Sequence, residues 1–176
     1  MLYRIHDWFH DAKVYLPISL RGFTDAAFIL MLLAEQEAER FHGDSAGAEH
    51  ILLGLMNEGR GVDARAVRSL GVDLWQLRDE VQQMTEPGPE GVTVARLPQN
   101  DQAKRVIEQA KEESRHLHQN YVGTEHLLLG LLCAEAGVAA QVLRNLGLNV
   151  EQVRGKVVAL LGGSTRAYNG NSPPGN

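Results

Sequence analysis

The chain contains one nine-residue segment twice, and this repetition constrains its fold more than any other feature. Gly-Ala-Glu-His-Ile-Leu-Leu-Gly-Leu occupies residues 47–55, and Gly-Thr-Glu-His-Leu-Leu-Leu-Gly-Leu occupies residues 123–131, 76 residues later. The same offset relates residues 42–81 to residues 118–157 without a gap, with 17 identities in 40 positions. Chance would give about two or three identities, so the chain is built from two copies of one unit.

Each copy has the residue spacing of α-helices. Between residues 26 and 40, apolar side chains recur every three or four positions and form one face. Glycines then separate shorter apolar segments. The pattern predicts helices over residues 26–40, 49–57, 64–69 and 74–84, and in the second copy over 100–117, 125–134, 139–145 and 150–161.

Short helices of this kind do not bury their apolar faces alone, so we expect the two copies to share a core. The predicted fold is all-α, with two four-helix repeats related by a pseudo-twofold axis and packed as one eight-helix domain. The repeats are expected over residues 23–84 and 99–161. Pro- and Gly-rich residues 85–98 predict a linker with a short extended piece at 92–94, and residues 162–176 predict a disordered tail.

The first 22 residues form an N-terminal extension. Its apolar residues follow helical spacing and predict an amphipathic helix, which Pro17 would end. This helix would dock on the domain itself, or else Trp8 and Phe9 would form a partner surface.

Composition narrows the classes of function. The 17 Lys and Arg residues against 22 Asp and Glu give a net charge of −5, which disfavours a general nucleic-acid binder. The single cysteine, Cys133, excludes an intramolecular disulfide and a multi-cysteine metal site, and among apolar neighbours it is expected to be a buried, inert thiol. Because no apolar run approaches the ~20 residues of a membrane span and no signal peptide is visible, we expect a cytoplasmic protein without membrane contact.

The repeated segments resemble the N-terminal repeat domain of Clp unfoldases, especially of the ClpC type. Phe23-Thr24, residues 102–108 (Gln-Ala-Lys-Arg-Val-Ile-Glu) and residues 118–126 are also similar to that family. The resemblance implies an eight-helix domain that recruits substrates and adaptors to a Clp ATPase–protease. Since the sequence contains no Gly-x-x-x-x-Gly-Lys-(Ser/Thr) motif, we expect either an excised N-domain or a stand-alone adaptor or decoy.

In ClpC-type domains the resemblance further implies two pockets for arginine-phosphorylated proteins. Phosphoarginine needs a carboxylate for its guanidinium and hydrogen-bond donors for its phosphate, and a helix start supplies donors. The resemblance assigns Thr24 and Glu49 to one pocket, and the matching positions of the second copy are Asn100 and Glu125. Asp25, beside Thr24, and Asp101, beside Asn100, each add charge that repels phosphate. The structural alternative is that Thr24 and Asn100 are helix caps and that both glutamates complement the helix dipole.

The Glu-His pairs also allow a hypothesis of another class. A metal-assisted hydrolase would use Glu49, His50, Glu125 and His126, with His42 or His118 as further ligands. The spacing is not His-Glu-x-x-His, and histidines that bond to the backbone explain the repetition more simply. We therefore expect a non-enzymatic binding module without metal or cofactor, whose partners are Clp ATPase or protease subunits, adaptors or protein substrates.

Overall fold

The structure is a computed structural model that describes residues 20–88, 98–134 and 137–168, with side chains up to Gly162. Within these ranges the chain forms eight helices, four in each repeat. In the first repeat they are α1 (Asp25–Arg40), α2 (Ala48–Glu58), α3 (Val62–Ser69) and α4 (Leu74–Met84). In the second they are α5 (Asp101–His116), α6 (Thr124–Cys133), α7 (Gly137–Asn145) and α8 (Val150–Tyr168).

The first helix of each repeat begins at a side-chain cap. Thr24 Oγ1 accepts the backbone N–H of Ala27 at 3.2 Å, and Asn100 Oδ1 accepts that of Ala103 at 2.9 Å. Both side chains satisfy a donor that has no acceptor inside the helix, as the sequence predicted for helix caps.

A glycine sets the distance between the first and second helices of each repeat. A Cβ on Gly54 would lie 2.6 Å from the carbonyl oxygen of Leu30, and one on Gly130 would lie 2.5 Å from that of Val106. Both neighbours are backbone atoms of the opposing helix, α1 or α5, which a side-chain rotation cannot move away. The glycine of the repeated Leu-Leu-Gly-Leu segment is therefore required by close helix packing.

The two repeats pack around a common centre. Helix α3 of the first repeat contacts α8 of the second, and α7 contacts α4 in the matching way. One continuous core contains buried side chains from both repeats, with Leu52, Leu53, Leu128 and Leu129 fully buried within it. The predicted all-α fold, with two related repeats in one eight-helix domain, is confirmed.

A buried ion pair inside each repeat was not foreseen. Glu37 on α1 is 1% exposed and binds Arg78 of α4 at 3.2 Å. At the same positions of the second repeat, Glu113 accepts two hydrogen bonds from Arg154, at 2.8 and 2.9 Å. Burial works to raise the pKa of Glu113, but the hydrogen bonds and positive charge of Arg154, together with the contacts of His116 and Cys133, outweigh it and lower the pKa overall.

The cysteine lies beside the second of these pairs. Cys133 is half-buried rather than fully buried, and its Sγ lies 3.6 Å from Glu113 Oε1. The expectation of a buried thiol is therefore wrong, since Cys133 is only partly buried.

The last helix is longer than the sequence indicated. Helix α8 continues to Tyr168, so the disordered tail expected from Gly162 does not begin there. Glycine lowers helix propensity by only about 1 kcal/mol, and the first proline beyond it is Pro173. Residues 169–176 lie outside the described part of the chain, as do 89–97 of the linker and residues 1–19, which include Trp8 and Phe9.

Among the helices that the structure describes, none has by itself the length and apolar character needed to cross a membrane. Helices α6 and α7 meet that criterion only when taken together, as a pair bent by 93°.

Candidate functional site

Backbone hydrogen bonds bring the helix starts of the two repeats together. The N–H of Thr24 donates to the carbonyl oxygen of Val122 at 2.9 Å, immediately before the start of α6. In the matching place, the N–H of Asn100 donates to the carbonyl oxygen of Ala46 at 3.0 Å, immediately before α2. The start of the first helix in each repeat therefore contacts a segment of the other repeat.

These backbone bonds relate the candidate residues of one repeat to those of the other. The resemblance placed Thr24 with Glu49 and Asn100 with Glu125, each within one repeat. The backbone bonds instead attach Thr24 to the segment that leads into Glu125, and Asn100 to the segment that leads into Glu49. The described contacts therefore set the start of the first helix of each repeat against the start of the second helix of the other repeat.

Both glutamates occupy the second position of their helix and fold back over a glycine. A Cβ on Gly47 would lie 2.1 Å from Glu49 Oε1, and a Cβ on Gly123 would lie 2.4 Å from Glu125 Oε1. Each carboxylate also accepts the backbone N–H of its own residue. The glutamates therefore do stabilise the helix starts, as the structural alternative holds.

The two glutamates differ in exposure and in the direction in which their pKa values are shifted. The Glu49 side chain is 15% exposed, whereas that of Glu125 is 6% exposed. Burial works to raise the pKa of Glu49, but the adjoining His50 and its own backbone N–H outweigh that effect and lower it. Burial dominates at Glu125 and raises its pKa. At neutral pH, Glu49 is the more accessible and the more firmly ionised carboxylate.

The histidines that follow the glutamates serve the helix starts. His50 Nδ1 accepts the N–H of Gly47 at 3.0 Å, and His126 Nδ1 accepts that of Gly123 at 2.9 Å. At His126, a neutral imidazole with the proton on Nε2 fits this bond. Burial lowers the pKa of His126 to about 4, which keeps its ring neutral.

The metal hypothesis receives no support from this geometry. In both Glu-His pairs the Nδ1 atom is taken by a backbone donor, and within the described ranges no three His, Cys, Asp or Glu side chains are grouped to hold a metal ion.

A further buried carboxylate lies between the repeats, close to the start of α6. Asp63 on α3 is fully buried and accepts a hydrogen bond from Thr124 Oγ1 at 2.6 Å. Its other oxygen, Oδ2, has no hydrogen-bond partner among the described atoms. Burial raises the pKa of Asp63 to about 7, and nearby Glu58 adds to the rise. The equivalent positions in the opposite repeats are occupied by Ala48 and Ala139, which are both buried. Of these two equivalent pairs of positions, only Asp63 and Thr124 form a polar contact.

Comparison with known proteins agrees with this architecture. The sequence model of the Clp repeat (R) N-terminal domain matches residues 22–146 and, a second time, residues 98–175. The chain belongs to the Clp N-terminal repeat family. The double match reflects the duplication that the nine-residue segment indicated.

Several relatives of this Clp N-terminal repeat chain are much longer proteins. It is 46% identical over 140 residues to the ATP-dependent Clp protease ATP-binding subunit ClpA homolog of Guillardia theta, covering 80% of this chain. It is 42% identical over 154 residues to the chloroplastic chaperone protein ClpC of Pisum sativum, covering 87% of this chain. In both comparisons the match spans 17% of the relative's length.

Solved structures share the fold. The N-terminal domain of the caseinolytic protease associated chaperone ClpD from Arabidopsis thaliana matches with a TM-score of 0.64 and 26% identity, over 81% of this chain and 96% of that one. The Hsp104 N-terminal domain from Candida albicans has the same TM-score at 18% identity, over 81% of this chain and 93% of that one, which shows the likeness of fold alone.

Sequence reasoning missed Asp63 and Thr124 as neighbours. Their contact is long-range, because they are 61 positions apart in the sequence, and neither residue is repeated in the other copy. A partial signal was nevertheless present, because at both positions the other copy has alanine where this contact has a polar residue.

Proposed function

We propose that this chain is a non-catalytic protein-binding module of the Clp system, which recruits substrates or adaptors, including arginine-phosphorylated proteins. The observation that carries the proposal is the junction of helix starts across the repeats, where Asn100 is bonded to the segment that leads into Glu49. Family membership supports the coarser role of protein binding, and the geometry supports the finer choice of ligand.

The Asn100–Glu49 junction suits the two ends of a phosphoarginine side chain. Glu49 is ionised and partly exposed, so it can pair with the guanidinium. The first turn of α5, capped by Asn100, presents backbone N–H groups toward a phosphate. Asp101 would oppose the phosphate, but Lys104 Nζ lies 3.1 Å from its carboxylate and offsets part of that charge.

The Thr24–Glu125 junction is the weaker candidate. Glu125 is 5% exposed and burial raises its pKa, so its carboxylate is less accessible to a guanidinium than that of Glu49. We therefore propose that the Asn100–Glu49 junction supplies most of the affinity.

Isothermal calorimetry with a phosphoarginine peptide tests the assignment, with the unphosphorylated peptide as reference. Glu49→Gln should weaken binding at least tenfold, because it removes the charge that pairs with the guanidinium. Glu108→Gln is the matched control, since Glu108 is an exposed glutamate on α5 that pairs with Lys111 at 2.7 Å. Equal affinities of Glu49→Gln and the unchanged chain would overturn the phosphoarginine assignment.

The broader role has its own test. We propose a reducing, cytoplasmic setting and contact with Clp ATPase or protease subunits, as an adaptor, a decoy or part of a longer unfoldase. Capture of the tagged chain from native extract, followed by mass spectrometry, should recover a Clp subunit. Recovery of none, with a ClpC-type chain captured in parallel as positive control, would contradict the role.

A further inference from the structure

Each repeat carries a surface groove between its second, third and fourth helices. The first groove, about 130 Å³ in volume, is lined by Met56, Asn57, Arg68, Leu74, Trp75 and Arg78. The second, about 430 Å³, is lined by Leu132, Ala140, Arg144, Leu148, Asn149, Val150 and Glu151. Four positions correspond across the repeats, so the two grooves are pseudo-symmetric copies of one feature.

The grooves differ at the position of their most exposed large side chain. Trp75 is 75% exposed on the first groove, and Glu151 stands at the matching position of the second. Leaving an indole in water forgoes a large hydrophobic contribution, and tryptophan is enriched among the residues that dominate protein interfaces. The substitution gives the first groove an aromatic surface where the second has a negative charge.

The first groove also carries positive charge without a carboxylate in its lining. Arg78 forms an ion pair with Glu37, which is buried. Arg68 Nη1 donates to the carbonyl oxygen of Gly59 at 3.0 Å, which holds the guanidinium at the rim. Within the described ranges Arg68 forms no ion pair, so it can accept a carboxylate from outside.

From this charge and shape we infer that the first groove is a docking site for an acidic protein segment with an apolar anchor side chain. The anchor packs on Trp75 and Leu74, and a flanking carboxylate pairs with Arg68. The second groove, with Glu151 in place of Trp75, repels the same segment. This surface is separate from the helix-start junctions, and the inference does not depend on the phosphoarginine assignment.

Fluorescence measures docking directly, because Trp8 and Trp75 are the two tryptophans of the chain. In a Trp8→Phe background, the acetylated peptide Asp-Glu-Leu-Phe-Glu-Asp should change the Trp75 emission in a saturable way. The peptide Lys-Lys-Leu-Phe-Lys-Lys should bind at least tenfold more weakly. Affinity for the acidic peptide should fall as salt rises, since the carboxylate contact with Arg68 is exposed.

Variants locate the binding to this groove. Arg68→Glu should weaken binding of the acidic peptide at least tenfold. Trp75→Glu gives the first groove the residue found in the second groove and should weaken binding by the same factor, as measured by calorimetry. Both side chains are exposed, so neither change disturbs the core. Arg144→Glu is the matched control in the second groove and should leave the affinity within twofold.

Several results would overturn the inference. They are absence of saturation up to about 1 mM acidic peptide, equal binding of the basic peptide, and unchanged affinity in Arg68→Glu. A Trp75 emission that shifts when residues 1–19 are deleted would assign the groove to this chain's own extension. An emission that depends on protein concentration would assign it to a second copy of the chain.

Discussion

The backbone N–H of Asn100 donates to the carbonyl oxygen of Ala46 at 3.0 Å, although these residues belong to different repeats. The N–H of Ala46 in turn donates to the carbonyl oxygen of Pro98 at 2.8 Å. Together the two bonds hold the entry to α5 against the entry to α2. Because Glu49 lies in the first turn of α2, the candidate site depends on correct packing of the repeats.

We predict that Asn100 and Glu49 act together in ligand binding, whereas Thr24 and Glu49 act independently. In a double-mutant cycle with a phosphoarginine peptide, Asn100→Ala and Glu49→Gln should show a coupling energy above about 0.5 kcal/mol. Thr24→Ala combined with Glu49→Gln should be additive. Calorimetric affinities of the five proteins and the unchanged chain measure both terms, and the opposite ranking would restore the pairing within one repeat.

The fold was largely predictable from sequence because its determinants are local or repeated. The cap residues Thr24 and Asn100, the apolar spacing and the 76-residue offset together gave the helices and their symmetry. The offset also contained the buried pair formed by Glu113 and Arg154, since both residue types recur in the first repeat.

It was harder to predict from the sequence which residues come together at the candidate site. The bond from Thr24 to Val122 joins residues 98 positions apart, and periodicity within a helix carries no information about which repeat supplies a neighbour. Burial of Glu125 and ionisation of Glu49 also depend on the packed neighbours, because the two segments are nearly identical in sequence.

The close approach of α1 and α2 predicts opposite effects for two glycine substitutions. Gly54→Ala should destabilise the domain, by about 1–3 kcal/mol, because the added Cβ meets the Leu30 carbonyl and the α1 backbone. Gly155→Ala in α8 should stabilise it by about 0.5–1 kcal/mol, since nothing lies within 4 Å of the new Cβ and alanine favours the helix. Urea unfolding monitored by circular dichroism measures both, and destabilisation by Gly155→Ala would contradict the packing described.

The buried pair in the second repeat should contribute more to stability than a surface pair. Arg154→Met leaves Glu113 buried without its partner and should cost about 2 kcal/mol, less than for a fully buried pair because the Arg154 side chain is 34% exposed. Arg115→Met removes an exposed pair with Glu112 and should cost at most about 1 kcal/mol. Equal losses in urea unfolding would show that the Glu113 contact is no stronger than a surface one.

Asp63 should make stability depend on pH between about 4 and 7. Its pKa rises from an ordinary 3.8 to about 7 on folding, so the folded chain holds a proton that the unfolded chain releases. The contribution of the protonated carboxyl is complete below pH 3.8 and is lost as pH rises through 7, at a slope of up to about 1.4 kcal/mol per pH unit. His126, whose pKa is lowered, acts in the opposite direction over part of this range.

A comparison with Asp63→Asn isolates this effect, because His126 is common to both proteins. The unfolding free energy of the unchanged chain minus that of Asp63→Asn should fall as pH increases from 4.5 to 7.5. Asp79→Asn, at an exposed position on α4, should give a nearly constant difference. A constant difference for Asp63→Asn as well would mean that this carboxyl is ionised in the folded protein throughout.

Two β-bridges join the repeats, one between Phe23 and Val122 and one between Ala46 and Gln99. They also indicate how a single repeat would behave on its own. A polypeptide with a single repeat would expose the apolar side of its second helix and leave the bridging amide and carbonyl groups without acceptors and donors. An identical polypeptide offers the same groups in the complementary place, so two such halves would close as a symmetric homodimer. The covalent link between the repeats then acts mainly by raising the effective concentration of one repeat near the other, because each repeat already has the surface needed for association.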